Sequence, residues 1–309
     1  MTAELDIRGS LDDAVVEQAE SSGFHRFCED FVESKISVVG FVLVILIALA
    51  AIFAPLVTPQ NPYDLAILDL MDSRLEPGEV SSTGMTHWLG TDDQGRDLYS
   101  AIIYGLRISL GVGVVAGVVA LVIGTSVGLT AAYFGGRVDT VIMRIVDFQL
   151  SFPAILLALI MLAVLGQGVD KIIIALVAVQ WAYFARTVRS AALVERQKEY
   201  IDAAKCLGLS DRLVMFGHLM PNCLPPLIVV ATVQVASAIS LEATLSFLGL
   251  GMPVTQPSLG LLIANGFEYV LSGRYWISTF PGIALLITIV SINLVGDRIR
   301  DVLNPRLQT

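Results

Sequence analysis

The stretch from Thr58 to Tyr104 holds the densest set of reactive side-chain types in the chain, within the string His87-Trp-Leu-Gly-Thr-Asp-Asp-Gln-Gly-Arg-Asp97. Asp92, Asp93 and Asp97 would suit a hard cation, but a calcium loop needs oxygen ligands on alternate residues ahead of a glycine, and that alternation is absent. Thr91 and Gln94 instead have the spacing of a capping box, with Asp92 and Asp93 in the first turn beside the positive end of a helix dipole. The string therefore predicts a capped helix that re-enters the bilayer. Nucleotide hydrolysis has no seat: a P-loop lysine follows a glycine, whereas Lys35, Lys171, Lys198 and Lys205 follow Ser34, Asp170, Gln197 and Ala204. His25, His87 and His218 sit on separate segments without metal-ligand spacing. Arg144 and Asp147 are spaced to pair across one helical turn. Glu242 heads LEATLSFLGLG just past an apolar run, where a carboxylate either meets a solute or docking protein or accepts buried hydrogen bonds. No catalytic constellation emerges, and the chain reads as a non-enzyme.

The longest polar interruption in an otherwise apolar second half is Lys198 to Asn222. Tyr200, Ala203, Ala204 and Leu207 fall at i, i+3, i+4 and i+7 and predict one small apolar stripe on a short helix. Gly208 stands where a left-handed C-cap belongs, Ser210 and Asp211 open a second short helix, and Pro221 closes it ahead of the next apolar run. Helix, turn, helix is equally what a plain connector between spans would show.

Asp202, Ala203, Ala204, Gly208 and the Met220-Pro221 pair resemble the EAA loop of ABC importer permeases, with Asp202 in place of the usual Glu, and His218 and Met220 where Ile and Leu are commonest. LGTDDQGRD, continued by Ser100, Gly105, Arg107 and Ser109, resembles the signature that opens the transport domain in the dipeptide, oligopeptide and nickel branch of that family. The loop from Gly251 to Ser278 resembles its outer gate region, and Glu242 is a candidate for the translocation path or that gate. The resemblance implies a bacterial inner-membrane permease whose coupling residues, Tyr200, Asp202, Ala203, Ala204, Gly208 and Pro221, dock on a cytoplasmic ATPase. It implies a homologous second permease, two ATPases and an external solute-binding protein as partners, together with membrane lipid and no nucleic acid. It further implies no cofactor or metal on this chain, with ATP and Mg on the ATPases. Peptides, glutathione and nickel chelates are all carried by such relatives, with di- and oligopeptides preferred here.

Composition points to the same class by an independent route. Of 309 residues 55% are apolar and only 15% charged, and the mean hydropathy of +0.75 does not suit a soluble domain. The expected fold is all-α and polytopic, with six transmembrane helices and the polar loop as its coupling element. Residues 1–35 hold nine acids against Arg8, Arg26 and Lys35 and read as a solvated, partly disordered acidic tail. Residues 36–104 form the first span, Ile36 to Val57, read as a retained anchor, and an external loop. Residues 105–309 carry five further helices, expected at about 108–134, 141–165, 172–188, 222–241 and 277–295. Gly113, Gly117, Gly124 and Gly128 project within one narrow wedge of the second span and predict a packing face, directed within the chain in preference to a partner. Cys28, Cys206 and Cys223 fall on or near the expected cytosolic segments and imply no disulfide framework.

With both termini in the cytosol, only Arg74, Arg96, Arg107, Lys171 and Arg274 of nineteen basic residues lie outside, leaving fourteen inside, as the positive-inside rule requires. A secondary transporter or channel is the alternative from another class. It is disfavoured because the sequence shows neither an inverted repeat nor a pair of interrupted spans.

Overall fold

The computed structural model describes residues 23–64 and 68–303. The first 22 residues of the acidic tail and the Asn304 to Arg306 ending lie outside the described residues. The tail is not all solvated chain, because Gly23–Glu33 forms helix α1. Phe27 stacks on Phe31, which meets Phe41 edge to face, and Arg298 donates to the Asp30 carbonyl and lies 3.4 Å from Glu33. The aromatic residues thus pack this helix against the start of the next, and the polar contacts of Asp30 and Glu33 dock it onto the last one.

Helix α2, Lys35–Ile52, is capped by Ser34, whose hydroxyl accepts from the Ser37 amide. It ends at Phe53, before Pro55 in the following one-turn helix Ala54–Val57, so the first span is shorter than Ile36 to Val57. Helix α3, Leu98–Phe134, runs 37 residues, about 55 Å, and so extends well beyond a ~30 Å hydrocarbon core. The third apolar run is not continuous. It divides into α4, Gly136–Leu150, and α5, Ala154–Leu165, bent by 88° across Ser151-Phe152-Pro153. Pro153 has no amide to donate and its ring drives Phe152 out of the helical region, which breaks the ladder there. Helix α6, Val169–Glu195, is longer than the expected fourth span. After the short α7, Glu199–Cys206, come α8, Leu224–Phe247, and α9, Leu259–Phe267, a helix inside a segment expected to be loop. Helix α10, Trp276–Leu303, completes the fold and also exceeds its expected bounds.

Among the described residues five helices, α2, α3, α6, α8 and α10, are long and apolar enough to cross a membrane, and a sixth crossing follows if α4 and α5 make one bent span. Among the described residues no strand forms, only the isolated bridges Val80 with Thr86 and Thr91 with Asp97. Gly113, Gly117, Gly124 and Gly128 of α3 share one face but meet two neighbours. Cβ atoms on Gly113 and Gly117 would stand 2.7 Å from Ile239 and 3.2 Å from Val235 of α8, whereas Cβ atoms on Gly124 and Gly128 would strike the Trp181 and Ala185 carbonyls of α6. Backbone-to-backbone approach of this kind makes α3 against α6 a tight seam of the fold.

Residues 58–64 and 68–97 fold into a compact cap over one end of the bundle. Arg96 is fully buried, its Nε donating to Asp92 Oδ2 at 2.6 Å and one terminal nitrogen to the Val254 carbonyl at 3.2 Å, which ties the cap to a segment 158 residues away. The expected capping box does not form. Thr91 Oγ1 donates to the Asp72 carbonyl and accepts from Leu75, while Asp97 caps α3 by accepting from the Ser100 amide at 2.8 Å. Asp92 is spent on Arg96, not on a helix dipole. His87 Nδ1 lies 2.9 Å from Asp97 and holds that cap in place.

Candidate functional site

At the opposite end from this cap, α7 and the short helices after it sit on the ends of α3 and α6. Ile201 and Ala204 of α7 are buried with Val214, Met215 and Leu219 against Leu129, Ala132, Phe184 and Val188. The expected stripe is therefore split. Ile201 and Ala204 face the chain's own core, Tyr200 packs at its edge, and Asp202, Ala203, Cys206 and Leu207 face outward, Leu207 being 79% exposed. Ala204 is not available to a partner surface, and Ile201 was the residue that the periodicity of small side chains passed over.

Polar contacts fix the seating. Arg196 donates to the Ala132 and Tyr133 carbonyls at 2.6 and 3.1 Å, satisfying orphan acceptors at the end of α3. The Tyr133 hydroxyl donates to Asp211 at 2.6 Å, and the Tyr200 hydroxyl to Glu195 at 3.0 Å. Burial and the Glu195 carboxylate together push the Tyr200 phenol up to about 12. Gly208 adopts φ +72, with Leu209 N to the Ala204 carbonyl and Gly208 N to the Lys205 carbonyl completing a Schellman ending. Ser210 begins the second helix, Asp211–Leu213, which widens into a π turn over Val214–Leu219, and Pro221 lies exposed in the last turn before α8.

Glu242 lies inside α8, not past its end, and is fully buried. Ser109 donates to its Oε2 at 2.8 Å and Ser246 to its Oε1 at 2.7 Å, with Ser258 also hydrogen bonded to the carboxylate. Three hydroxyls from α3, α8 and the start of α9 thus converge on one acceptor, which joins three elements and leaves the carboxylate no exposed surface. Asp147 does not pair with Arg144: it pairs with Arg186 of α6, and Arg189 makes a two-pronged contact with Asp139 at 2.5 and 2.6 Å. The two ion pairs stand about two turns apart along α4 and fasten it to α6.

An open groove of about 1220 Å³ runs along α8 between α5, α6 and α10. Its polar wall comprises Gln180 and Tyr183 of α6 with Gln234, Ser237, Ser240 and Thr244 of α8. A second groove, of about 990 Å³, is walled by Val44, Val114, Val122, Ile228 and Val235 and is almost wholly apolar.

The family model described as binding-protein-dependent transport system inner membrane component matches residues 120–309. The chain belongs to that permease family. A second model, the N-terminal TM domain of oligopeptide transport permease C, matches residues 22–77, which span α1, α2 and the beginning of the cap. A putative peptide transport system permease protein of Brucella suis is 42% identical to this permease over 87% of this chain and 88% of its own. The dipeptide transport system permease protein DppC of Alkalihalophilus pseudofirmus is 37% identical over 90% and 88%. The oligopeptide transport system permease protein OppC of Bacillus subtilis is 36% identical over 90% and 88%. Among solved structures, a chain of the inward-facing MetNI methionine ABC transporter superposes with a TM-score of 0.54 at 22% identity, covering 67% of this permease and 98% of that chain, a likeness of fold. The permease fold accounts for why α3, α6 and α8 form one packed unit on which the α7 segment is mounted.

Proposed function

We propose that this permease is one of two homologous membrane subunits of an ABC importer for di- and oligopeptides, served by an external solute-binding protein and driven by two cytoplasmic ATPases that hold ATP and Mg. The observation that carries the coupling role is the seating of α7. An eight-residue helix is pinned into the core by Ile201 and Ala204 while Ala203 and the 79% exposed Leu207 project outward. An exposed leucine beside small residues, on a helix that cannot tilt without moving α3 and α6, suits a partner that pushes on it. On this reading the α7 end faces the cytosol and the cap faces outward. ATP-driven closure of the two ATPases draws the paired α7 helices together, and the buried contacts of Ile201, Met215 and Leu219 pass that motion to the spans lining the groove. The relatives' names favour peptides as the cargo.

Leu207→Asp tests the coupling. The complex should insert and assemble, because Leu207 buries little within its own chain, yet binding-protein-stimulated ATP hydrolysis and uptake of a labelled tripeptide into proteoliposomes should fall by about tenfold or more, as for a central contact residue. Parental stimulation and uptake in that variant would return the loop to a plain connector.

A further inference from the structure

Of the two large grooves, one is almost wholly apolar, with Arg107, Thr125, Ser126 and Thr232 as its polar lining, and the other carries amides and hydroxyls along one wall. Along α8, Ser237, Ser240 and Thr244 recur at three- and four-residue spacing and so share one face, with Gln234 beside them. Ser237 and Ser240 are exposed to the groove. Across it, Gln180 is 2% exposed, its Nε2 donates to the Gln234 carbonyl at 2.8 Å, and its Oε1 has no donor. That contact ties the α6 wall to the α8 stripe and leaves the buried Gln180 amide behind the groove surface. The wall from Pro225 to Thr244 rises about 28 Å along α8, close to the ~30 Å thickness of a bilayer core. It holds no carboxylate, and its one charged residue is Arg300, near the α7 end of α10.

We infer that this stripe is the permease's half of the translocation wall, and that Ser237, Ser240 and Thr244 replace the hydration of a peptide's backbone amides irrespective of its side chains. The inference rests on the peptide-import reading above and adds the contact surface. The Ser237 and Ser240 hydroxyls donate and accept alike and so match peptide N–H and C=O in any register, while Thr244, whose hydroxyl donates to the Ser240 carbonyl at 2.8 Å, accepts from peptide N–H. A stripe without charged side chains, well away from Arg300, also gives acidic and basic peptides no fixed charge at which to halt, whereas a charged one would sort them.

The test places a charge at Ser240 in the assembled importer, this chain with its partner permease and ATPases, reconstituted with binding protein. Uptake is measured for three tripeptides, Ala-Ala-Ala, one with two added Glu and one with two added Lys. Ser240→Asp should depress the acidic peptide relative to the neutral one by about tenfold, and Ser240→Lys the basic one, the order expected for unit charges ~10 Å apart in a low-dielectric groove. Should either variant assemble poorly, Ser240→Cys modified after assembly with anionic or cationic methanethiosulfonate supplies the same two charges. Equal loss for all three peptides, or no change for any, would overturn the assignment and make the stripe a subunit or lipid contact. Failure of the unsubstituted importer to move any of the three would instead overturn the peptide reading itself.

Discussion

Left-handed backbone is strained for any residue with a Cβ, least for asparagine and most for β-branched side chains, and Gly208 sits in it at φ +72. Nothing lies within 4 Å of where its Cβ would be, so the requirement for glycine is conformational and not one of space inside this chain. Two substitutions separate these possibilities. Gly208→Val should cost about 1 to 2 kcal/mol of local backbone strain, redirect the Asp211–Leu213 turn and uncouple hydrolysis from uptake. Gly208→Asn, which tolerates the left-handed region through its short polar side chain, should retain most of both activities. Loss of both activities in the two variants alike would move the constraint to the bulk permitted at a docked partner. Glu242 belongs to the same scale. Its serines, Ser109, Ser246 and Ser258, are unremarkable in sequence and become partners only because α3, α8 and α9 meet there.

The α3 glycines act as an element, because spacing alone makes them equivalent and neighbours make them unequal. At Gly117 a methyl would meet only a Val235 side-chain carbon at 3.2 Å, which can shift, whereas at Gly128 it would strike the Ala185 carbonyl of α6, which cannot. Gly117→Ala should therefore cost well under ~1 kcal/mol and Gly128→Ala roughly 1 to 3, as overpacking does, read as thermal unfolding of the purified complex in lipid nanodiscs. Equal tolerance of the two would mean that the α3 to α6 seam is looser than described. The bend at Pro153 is likewise an element property: it converts what composition reads as one span into an amphipathic α4 fastened by Asp139 and Asp147 to Arg189 and Arg186, and a twelve-residue apolar α5.

For the whole molecule the open quantity is orientation, and the cap and the α7 segment lie at opposite ends of α3 and α6 to report it. With Cys28 and Cys206 replaced by serine, Thr83→Cys in the cap should react with an impermeant maleimide added outside intact cells, and Ser210→Cys should react only after permeabilisation. Thr83 and Ser210 are both exposed, whereas Ser258, in the segment expected to be an outer loop, is fully buried and would report nothing. Labelling of Ser210→Cys from outside would reverse the orientation and remove α7 from reach of any cytosolic ATPase.

Properties set by composition and short-range spacing were determined by the sequence itself: the membrane class, the approximate spans, the face shared by four glycines, and the left-handed corner at Gly208. Each depends on residues within about one or two helical turns, where the period of 3.6 and the conformational freedom of glycine act without reference to the rest of the chain. Tertiary structure decided which partner each polar group takes. Thr91 has the spacing of a helix cap, yet Asp97 caps α3 because Thr91 is engaged by Asp72 and Leu75; Arg144 stands one turn from Asp147, yet Arg186 reaches it from α6. The outward turn of Leu207 and the inward turn of Ile201 follow from the surface that α3 and α6 offer to α7, which no local pattern encodes. A buried polar group accepts whichever partner the assembled fold brings within hydrogen-bond reach, and that choice is made across tens to hundreds of residues, beyond the range over which spacing carries information.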